Sequence, residues 1–244
     1  MVTNLAYFFE STKKVRGGKW VWVKDSNGEN RNNILLGGTL ANPNKGFGHI
    51  WAAQLLQYTP GQPMYIFRSF MVAADAANNA TTIYVNGDGY SDVPEVGMLL
   101  MVAPDALTVE TLEADTETGA VTKTVADYTG QSAKVTGVEY DETNKRFKVT
   151  LAATLGSALT GGTTILVEAN GTDASASAKP LVPNPNVFNE ADRDLMPTEG
   201  FGIQNANYSI SGVYNKQAWI ARMQPLPKYV LAKNKSLIDG IFWI

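Results

Sequence analysis

The sequence predicts a mainly β protein, in which a small β-barrel or sandwich module is embedded between N- and C-terminal β-rich segments that pair with each other. Short runs of β-branched and aromatic residues recur along the chain, and Gly, Asn, Asp and Pro residues punctuate them. No long stretch has the spacing of apolar residues that a helix requires. At 244 residues and 44% hydrophobic content, the chain can bury a sizeable core.

The strongest strand signal lies in residues 81–105. Residues 82–85 form a β-branched and aromatic run, and the following Asn-Gly-Asp-Gly supplies residues that tolerate positive φ. Residues 96–103 are apolar, with Gly97 as the one interruption. This order predicts a strand, a tight turn and a second strand, paired as a hairpin.

A central module over residues 64–182 is expected to surround this hairpin. A second strand pair is predicted from residues 147–151 and 163–167, which a link rich in Gly and Ala joins. Residues 134–140 are predicted as a further strand that turns at residues 141–146 and pairs with residues 147–151. Residues 64–72 predict one apolar strand with Arg68 in its middle.

Residues 105–129 are the most acidic part of the chain. Six Asp and Glu residues lie between Asp105 and Asp127, against one lysine, Lys123. We interpret this tract as a solvated excursion from the central module.

The N-terminal segment is expected over residues 1–63. Residues 19–23 alternate as a strand does, and residues 32–36 are the predicted partner after a turn. Residues 50–56 fit either a strand or two turns of helix.

The C-terminal segment is expected over residues 183–244 and to pack with the N-terminal one. It opens with an extended, proline-rich strap. Two strands are predicted at residues 203–213 and 217–223, and a short helix at residues 229–238. The apolar residues 241–244 are expected to be buried, either as a closing strand or in another subunit.

Composition excludes several classes of function. The chain has no cysteine, which rules out disulfides, thiolate metal sites and cysteine nucleophiles. A net charge of −3 argues against a nucleic-acid partner. The N-terminus lacks the features of a secretory signal, and no apolar run approaches the ~20 residues that span a bilayer. We therefore expect synthesis in the cytoplasm and no membrane partner.

No catalytic constellation is visible, so we predict no catalytic, cofactor-binding or metal-binding residues and no enzyme activity. The one histidine, His49, permits no histidine metal triad, and a Ser-His-Asp arrangement would have to use this residue. Carboxylate pairs such as Asp88 with Asp92 and Asp192 with Asp194 lie in turn-like sequence. Fragments of calcium loops at residues 25–29 and 86–92 lack the closing bidentate Glu and are interpreted as ordinary turns.

The aromatic residues of the first third of the chain leave two interpretations open. They form either a platform on which sugar rings stack, or part of a core or subunit interface. These residues are Trp20, Trp22, Trp51, Tyr58, Tyr65 and Phe67.

Three stretches resemble virion proteins of tailed bacteriophages: TTIYVNGDGYSDVPEVGMLLMVAPD, KVTGVEYDETNKRFKVTLAATLGSALTGGTTILVEA and AKPLVPNPNVFNEADRDL. They are similar to head decoration and head fibre proteins, including those of phages and prophages of Bacteroides-type bacteria. The shared pattern is a strand, a turn ending in Val96-Gly97, an apolar strand, and a Thr- and Val-rich pair closed by Gly161-Gly162. The resemblance covers about residues 50–244.

The resemblance implies a non-enzymatic virion structural protein on the capsid exterior. Such a protein binds the lattice of the major capsid protein, often as a trimeric homo-oligomer, and stabilises the shell or presents a head fibre. From the apolar ends and the proline-rich strap we expect contacts at Leu5, Tyr7, Phe8, Phe9, Pro183, Pro185, Phe188, Ile241, Phe242, Trp243 and Ile244.

Two rival functions remain. One is a receptor- or carbohydrate-binding fibre module that uses the tryptophans, with a host glycan as partner. The other is a glycan hydrolase. A major shell subunit is disfavoured, because the sequence has no helical period long enough for the spine helix of that fold.

Overall fold

The computed structural model describes residues 22–24, 41–42, 49–50, 55–57, 59, 62–87, 92–114, 121–185, 187–189, 193–194, 208–209, 212–214, 225–233 and 241–243. These residues are mainly β, as the sequence predicts. In chain order the strands are β1 Trp22–Lys24, β2 His49–Ile50, β3 Leu55–Gln57, β4 Tyr65–Ile66, β5 Ser69–Met71, β6 Thr82–Asn86, β7 Leu99–Val102, β8 Thr108–Ala114, β9 Val121–Asp127, β10 Ser132–Asp141, β11 Arg146–Leu151, β12 Ile165–Asn170, β13 Lys179–Pro180, β14 Val187–Asn189, β15 Arg193–Asp194, β16 Tyr208–Ser209, β17 Gly212–Tyr214 and β18 Ile241–Trp243. The described helix, α1, is Lys228–Lys233.

A seven-stranded antiparallel sheet forms the central module. Its strands follow the order β13-β12-β7-β10-β11-β6, and β5 pairs with β12 beside this path. A single bridge between Val72 and Val85 and a 2.8 Å hydrogen bond from the Ala73 N–H to the Tyr84 carbonyl join the end of β5 to β6. The sheet therefore curls towards itself in a sandwich-like arrangement, without a regular ladder closing it.

The first core fills the inside of this curled sheet. Alternate residues of its strands point inward, as the two-residue period of a strand requires. On β11, for example, Phe147, Val149 and Leu151 are buried and Thr150 between them is exposed. The buried members of the first core are Phe70, Val72, Ile83, Val85, Val93, Met98, Leu100, Ala133, Val135, Phe147, Val149, Leu151, Leu155, Leu159 and Leu166.

The second core lies on the outer face of the same sheet. Met101 of β7 and Val167 of β12 point to this side, because their neighbours Leu100 and Leu166 point inward. Residues of both end segments cover them, among them Leu55 of β3 and Tyr229 of α1. The complete set of buried residues here is Leu55, Phe67, Met101, Val167, Ala169, Ala178, Val182, Tyr229 and Val230.

Helix α1 is the short helix expected near residues 229–238, of which residues 234–238 lie outside the described part. It begins after Pro225 and Pro227, and the Val230 N–H donates to the Pro227 carbonyl at 3.0 Å. The Tyr229 hydroxyl donates to the Val182 carbonyl at 3.2 Å, and burial raises the pKa of Tyr229. The helix is thus held by one buried aromatic side chain with a satisfied hydroxyl.

Strands of the two end segments pair with each other, which confirms that part of the predicted fold. β1 is antiparallel to β17, β2 to β15, and β14 lies between β3 and β16. β17 is parallel to β18. The interpretation of residues 50–56 as a strand holds where they are described, at β3. Residues 32–36 lie outside the described part. The domain boundaries at residues 63 and 182 stay predictions.

Two predicted strand pairings are wrong. β6 pairs with β11, and β7 lies between β10 and β12, so the strands at 82–86 and 99–102 are not a hairpin. The Gly87 N–H donates to the Lys145 carbonyl at 2.9 Å, and the chain then passes Val93 and Met98 of the first core before β7 begins. The connection from β6 to β7 is therefore a crossover and not the turn of a hairpin, and residues 88–91 of the predicted turn lie outside the described part.

The pairing predicted between residues 147–151 and 163–167 fails for the same reason. The link between β11 and β12 carries Leu155 and Leu159, which are buried in the first core. The link crosses one end of the core and returns on its far side. The pairing predicted between residues 134–140 and 147–151 is confirmed, since β10 and β11 form a regular hairpin from Gly137–Thr150 to Asp141–Arg146.

Residues 64–72 do not form one strand. β4 pairs with β3 and β5 pairs with β12, with Phe67 and Arg68 between the two strands. One apolar run thus serves two sheets, and the break falls at its one charged residue.

Candidate functional site

The predicted contact residues fall partly within the described part of the chain. Pro183 is half-buried and Pro185 is buried, while Phe188 lies in β14 between β3 and β16. Ile241, Phe242 and Trp243 form β18, which pairs with β17 as a closing strand. Leu5, Tyr7, Phe8, Phe9 and Ile244 lie outside the described residues. The contact roles of all eleven stay predictions.

The polar residues considered from the sequence are dispersed. His49 in β2 lies opposite Asp194 in β15 in the strand register. Asp92 is buried, and its carboxylate accepts the Ser69 N–H at 3.4 Å. Asp88, Asp192 and the fragment at residues 25–29 lie outside the described part. Within the described residues, no group of three or more His, Cys, Asp or Glu side chains could hold a metal ion.

A buried ion cluster lies where the first core ends between β5 and β12. In the register of these strands, Phe70 lies opposite Leu166. Two residues away from this pair along each chain, Arg68 lies beside Glu168. Both side chains continue the inward-facing set that Phe70 and Leu166 begin. The Arg68 Nε donates to Glu168 Oε2 at 3.1 Å, and the two side chains are 4% and 13% exposed.

The same guanidinium connects the N-terminal segment to the module. One terminal nitrogen of Arg68 donates to the Asn42 carbonyl at 2.6 Å, and the other lies 3.9 Å from Glu95 Oε2. The Asn42 side chain donates to Glu168 at 3.0 Å and to the Ile66 carbonyl at 2.8 Å, and it accepts the Ile66 N–H at 2.7 Å. Asn42 therefore continues the backbone ladder of β4 with its side chain.

The electrostatics of this cluster are set by burial. Loss of solvent raises the pKa of Glu168 above its usual 4.5, the Arg68 charge lowers it, and the like charge of Glu95 adds to the rise. A cleft of about 380 Å³ opens beside the cluster, and Tyr65, Val96 and Leu181 contribute to its walls. Gly97, with φ of +95°, lets the chain turn back after Glu95.

Since all three nitrogens of the guanidinium already face oxygen atoms of the protein, we interpret the cluster as a structural joint. One feature of the sequence indicates this cluster: Arg68 and Glu168 are each the single charge in an apolar run. Charges in such runs are buried only when they are paired.

The β8–β9 hairpin is the most exposed regular element described. Every residue from Val121 to Asp127 is exposed, as are Thr108–Glu113, in agreement with the solvated excursion predicted for the acidic tract. Neither core includes a residue of these strands. At the base, the Tyr128 N–H donates to the Leu107 carbonyl at 2.8 Å, and both residues pack against the second core.

One face of this hairpin carries an apolar group. Residues opposite each other share a face, which places Leu112 with Lys123, and Val125 with Glu110. Val121 and Val125 are the diagonal neighbours of Leu112, and the three side chains are 64%, 53% and 68% exposed in that order. Lys123 and Glu110 form an ion pair of 2.8 Å on the same face. The hairpin is thus a candidate interaction surface.

Comparisons with known proteins returned no match among family models, curated proteins or solved structures. The resemblance to phage head proteins accordingly stays a prediction. No helix in the described residues has the length and apolar character of a membrane span.

Replacing Arg68 with Leu should lower the free energy of unfolding by about 3–5 kcal/mol, because it leaves Glu168 and Glu95 buried without their cation. Chemical denaturation measures the change. Lys148→Leu is the matched control: Lys148 pairs with Glu139 at 3.1 Å, but the two side chains are 40% and 74% exposed, so a loss below about 1 kcal/mol is expected. Equal small losses in the two variants would contradict the structural role of the joint.

The raised pKa of Glu168 predicts the sign of a pH effect. The folded chain binds this proton at higher pH than the unfolded chain, so the stabilisation is complete below 4.5 and is lost as pH rises through the folded-state value. Compared with Glu168→Gln, the wild-type protein should gain stability as pH falls from neutral towards 4.5. Denaturation midpoints across pH test this.

Asp141 supplies a control of opposite sign. Hydrogen bonds from the Asn144 side chain and N–H lower the pKa of Asp141 below its usual 3.8. Compared with Asp141→Asn, the wild-type protein should therefore keep its stability down to about pH 3.8 and lose it as pH falls further, through the folded-state pKa of Asp141. If acidification changed the stability of the wild-type protein in the same direction relative to Glu168→Gln and to Asp141→Asn, the assignment at Glu168 would be refuted.

Proposed function

We propose that this chain is a virion structural protein that binds the outer surface of a tailed-phage capsid and stabilises the shell or presents a head fibre. The observation that carries the proposal is the resemblance of three stretches, residues 81–105, 134–169 and 178–195. These stretches contain β6, β7, β11 and β13 and nearly all of β10 and β12, which together are the six strands of the main path of the central sheet. The third stretch continues into β14 and β15, which belong to other sheets, so the resemblance centres on the central sheet and extends into the C-terminal segment.

A protein with this role acts through its surfaces. The curled sheet supplies a rigid body with two cores, and the end segments pack on its outer face as a second β-rich layer. The β8–β9 hairpin and β18, whose sheet order places it at an edge, are candidate contact elements. A partner that binds only the assembled lattice stabilises the shell by mass action.

The test uses particles assembled from the major capsid protein of the phage that encodes the chain. The purified chain should co-sediment with these particles and raise the temperature at which they disassemble. Trp243→Asp, at a predicted contact, should lower the number of bound copies, whereas Lys148→Ala on β11 should not. Wild-type chain that stays in the supernatant would refute the proposal.

A second candidate function, carbohydrate binding by a virion fibre module, is favoured by the register of the three-stranded sheet β1-β17-β18. Trp22 lies opposite Tyr214, and Tyr214 lies opposite Trp243. Three aromatic residues therefore occupy one row across the sheet. Phe67 belongs to the second core and Tyr65 packs against it, so these two fit the core interpretation instead.

If the row binds sugars, the wild-type chain should bind a subset of bacterial surface polysaccharides on a glycan array, and Trp22→Ala should abolish the signal with an unchanged circular dichroism spectrum. Tyr84→Ala is the control, since Tyr84 lies on β6 of the central sheet, where Arg146 stacks on its ring at 4.0 Å. Binding that survives Trp22→Ala would exclude the row as the platform.

A further inference from the structure

The β8–β9 hairpin falls in the gap between two of the stretches that resemble phage head proteins, residues 81–105 and 134–169. In the described part of the chain its strands pair only with each other. A two-stranded ribbon with both faces in water is marginally stable by itself. Because the β8–β9 ladder nevertheless has seven regular residue pairs, we expect a further strand to pair with one of its edges and stabilise it.

The register shows which backbone groups face outward. Tyr128 donates its N–H to the Leu107 carbonyl, and this pair continues the β8–β9 ladder beyond Thr108 and Asp127. In an antiparallel ladder hydrogen-bonded pairs alternate with non-hydrogen-bonded pairs. The N–H and C=O groups of Val125 and Lys123 therefore point away from β8, along the outer edge of β9.

The charges of the hairpin distinguish its two edges. On β8, Glu110 and Glu113 give the edge a net negative charge. On β9 the charges are Lys123 and Asp127, which cancel, and they lie on one face at equal distances from Val125. Thr and Val otherwise dominate β9, and these residues favour strands. Apart from Lys123, β9 has none of the features that usually protect a strand edge, such as Pro or a bulge.

We propose that the outer edge of β9 pairs with β9 of a second copy of this chain, antiparallel, about a two-fold axis at Val125. In this register Lys123 of each copy lies opposite Asp127 of the other, and Val125 lies opposite its own counterpart. A four-stranded sheet β8-β9-β9-β8 results, and the outward N–H and C=O groups of each β9 complete a ladder.

Charge selects this register among its neighbours. With the axis at Lys123, two lysines oppose each other, and with the axis at Thr124, Lys123 meets Val125 and Val121 meets Asp127. Only the axis at Val125 forms two pairs of opposite charge, by symmetry. Asp127 already accepts from Lys179 at 2.8 Å, and Lys123 already pairs with Glu110 at 2.8 Å. A carboxylate can accept from a second cation, and an ammonium group has three donors, so both can also pair across the axis.

The apolar group gains from the same arrangement. The Val125 residues of the two copies lie opposite each other on one face of the new sheet. In each copy, Leu112 of β8 lies diagonal to Val125 on the side away from the axis. The two Leu112-Val121-Val125 groups then lie across the new strand pair from each other. The proposal is independent of capsid binding, and it gives a dimer, whereas the resemblance implies a trimer.

The experiment is a measurement of solution mass by light scattering after size exclusion, over a wide range of protein concentration. The wild-type chain should reach twice the chain mass of 26.4 kDa. Val125→Pro should be monomeric, because it removes an N–H that faces outward and takes no part in the β8–β9 ladder. Lys123→Asp and Asp127→Lys should each weaken the dimer at least about tenfold, since each replaces two attractive pairs with repulsive ones.

The exchanged double variant, Lys123→Asp with Asp127→Lys, should dimerise more tightly than either single variant, because the pairs across the axis are again of opposite charge, although like charges then face Glu110 and Lys179 within each chain. Lys148→Glu, a charge reversal on β11, serves as the control that leaves it unchanged, and circular dichroism checks that each variant is folded. A monomeric wild-type chain, a trimer that Val125→Pro leaves intact, or a double variant no better than the single ones would overturn the proposal.

Discussion

The pairing of β5 with β12 is the constraint on which the rest of the molecule depends. It brings Phe70 and Leu166 together inside the first core. Two residues further along each chain, it brings Arg68 and Glu168 together at the end of that core. Two charges of this kind are stable in a nearly dry site only because each satisfies the other. Asn42, bound to both, is thereby fixed, and the N-terminal segment joins the sheet at that place.

The two cores follow from the same pairing. β12 is buried on both faces: Leu166 points into the curl of the sheet, and Val167 points outward to the layer formed by α1 and the end segments. A strand with both faces covered reads as a continuous apolar run, and residues 165–167 are such a run. The outer layer is therefore needed to keep Val167 and Met101 from water, and it stabilises the central module.

Local patterns in the sequence predicted the class of fold, the strands and the β10–β11 hairpin. The four residues between those strands include Asn144 and Lys145, and Lys145 adopts the positive φ that closes a short turn. Partners distant in sequence were not predictable in this way. Nothing near Asn86 shows that the chain continues past Val93 and Met98, because a crossover and a hairpin turn can begin with the same Gly and Asp residues. The Arg68 joint links residues 42, 68, 95 and 168 and is visible only once the register is known.

The acidic charge of the hairpin has a consequence for how copies of the chain can meet. Negative charge on β8 disfavours pairing between two β8 edges, since like charges that face each other across strands are destabilising. The β9 edge, neutral and self-complementary about Val125, escapes this repulsion. A chain that keeps one edge repulsive and one edge matched to itself restricts association to a closed pair and avoids an open-ended ladder.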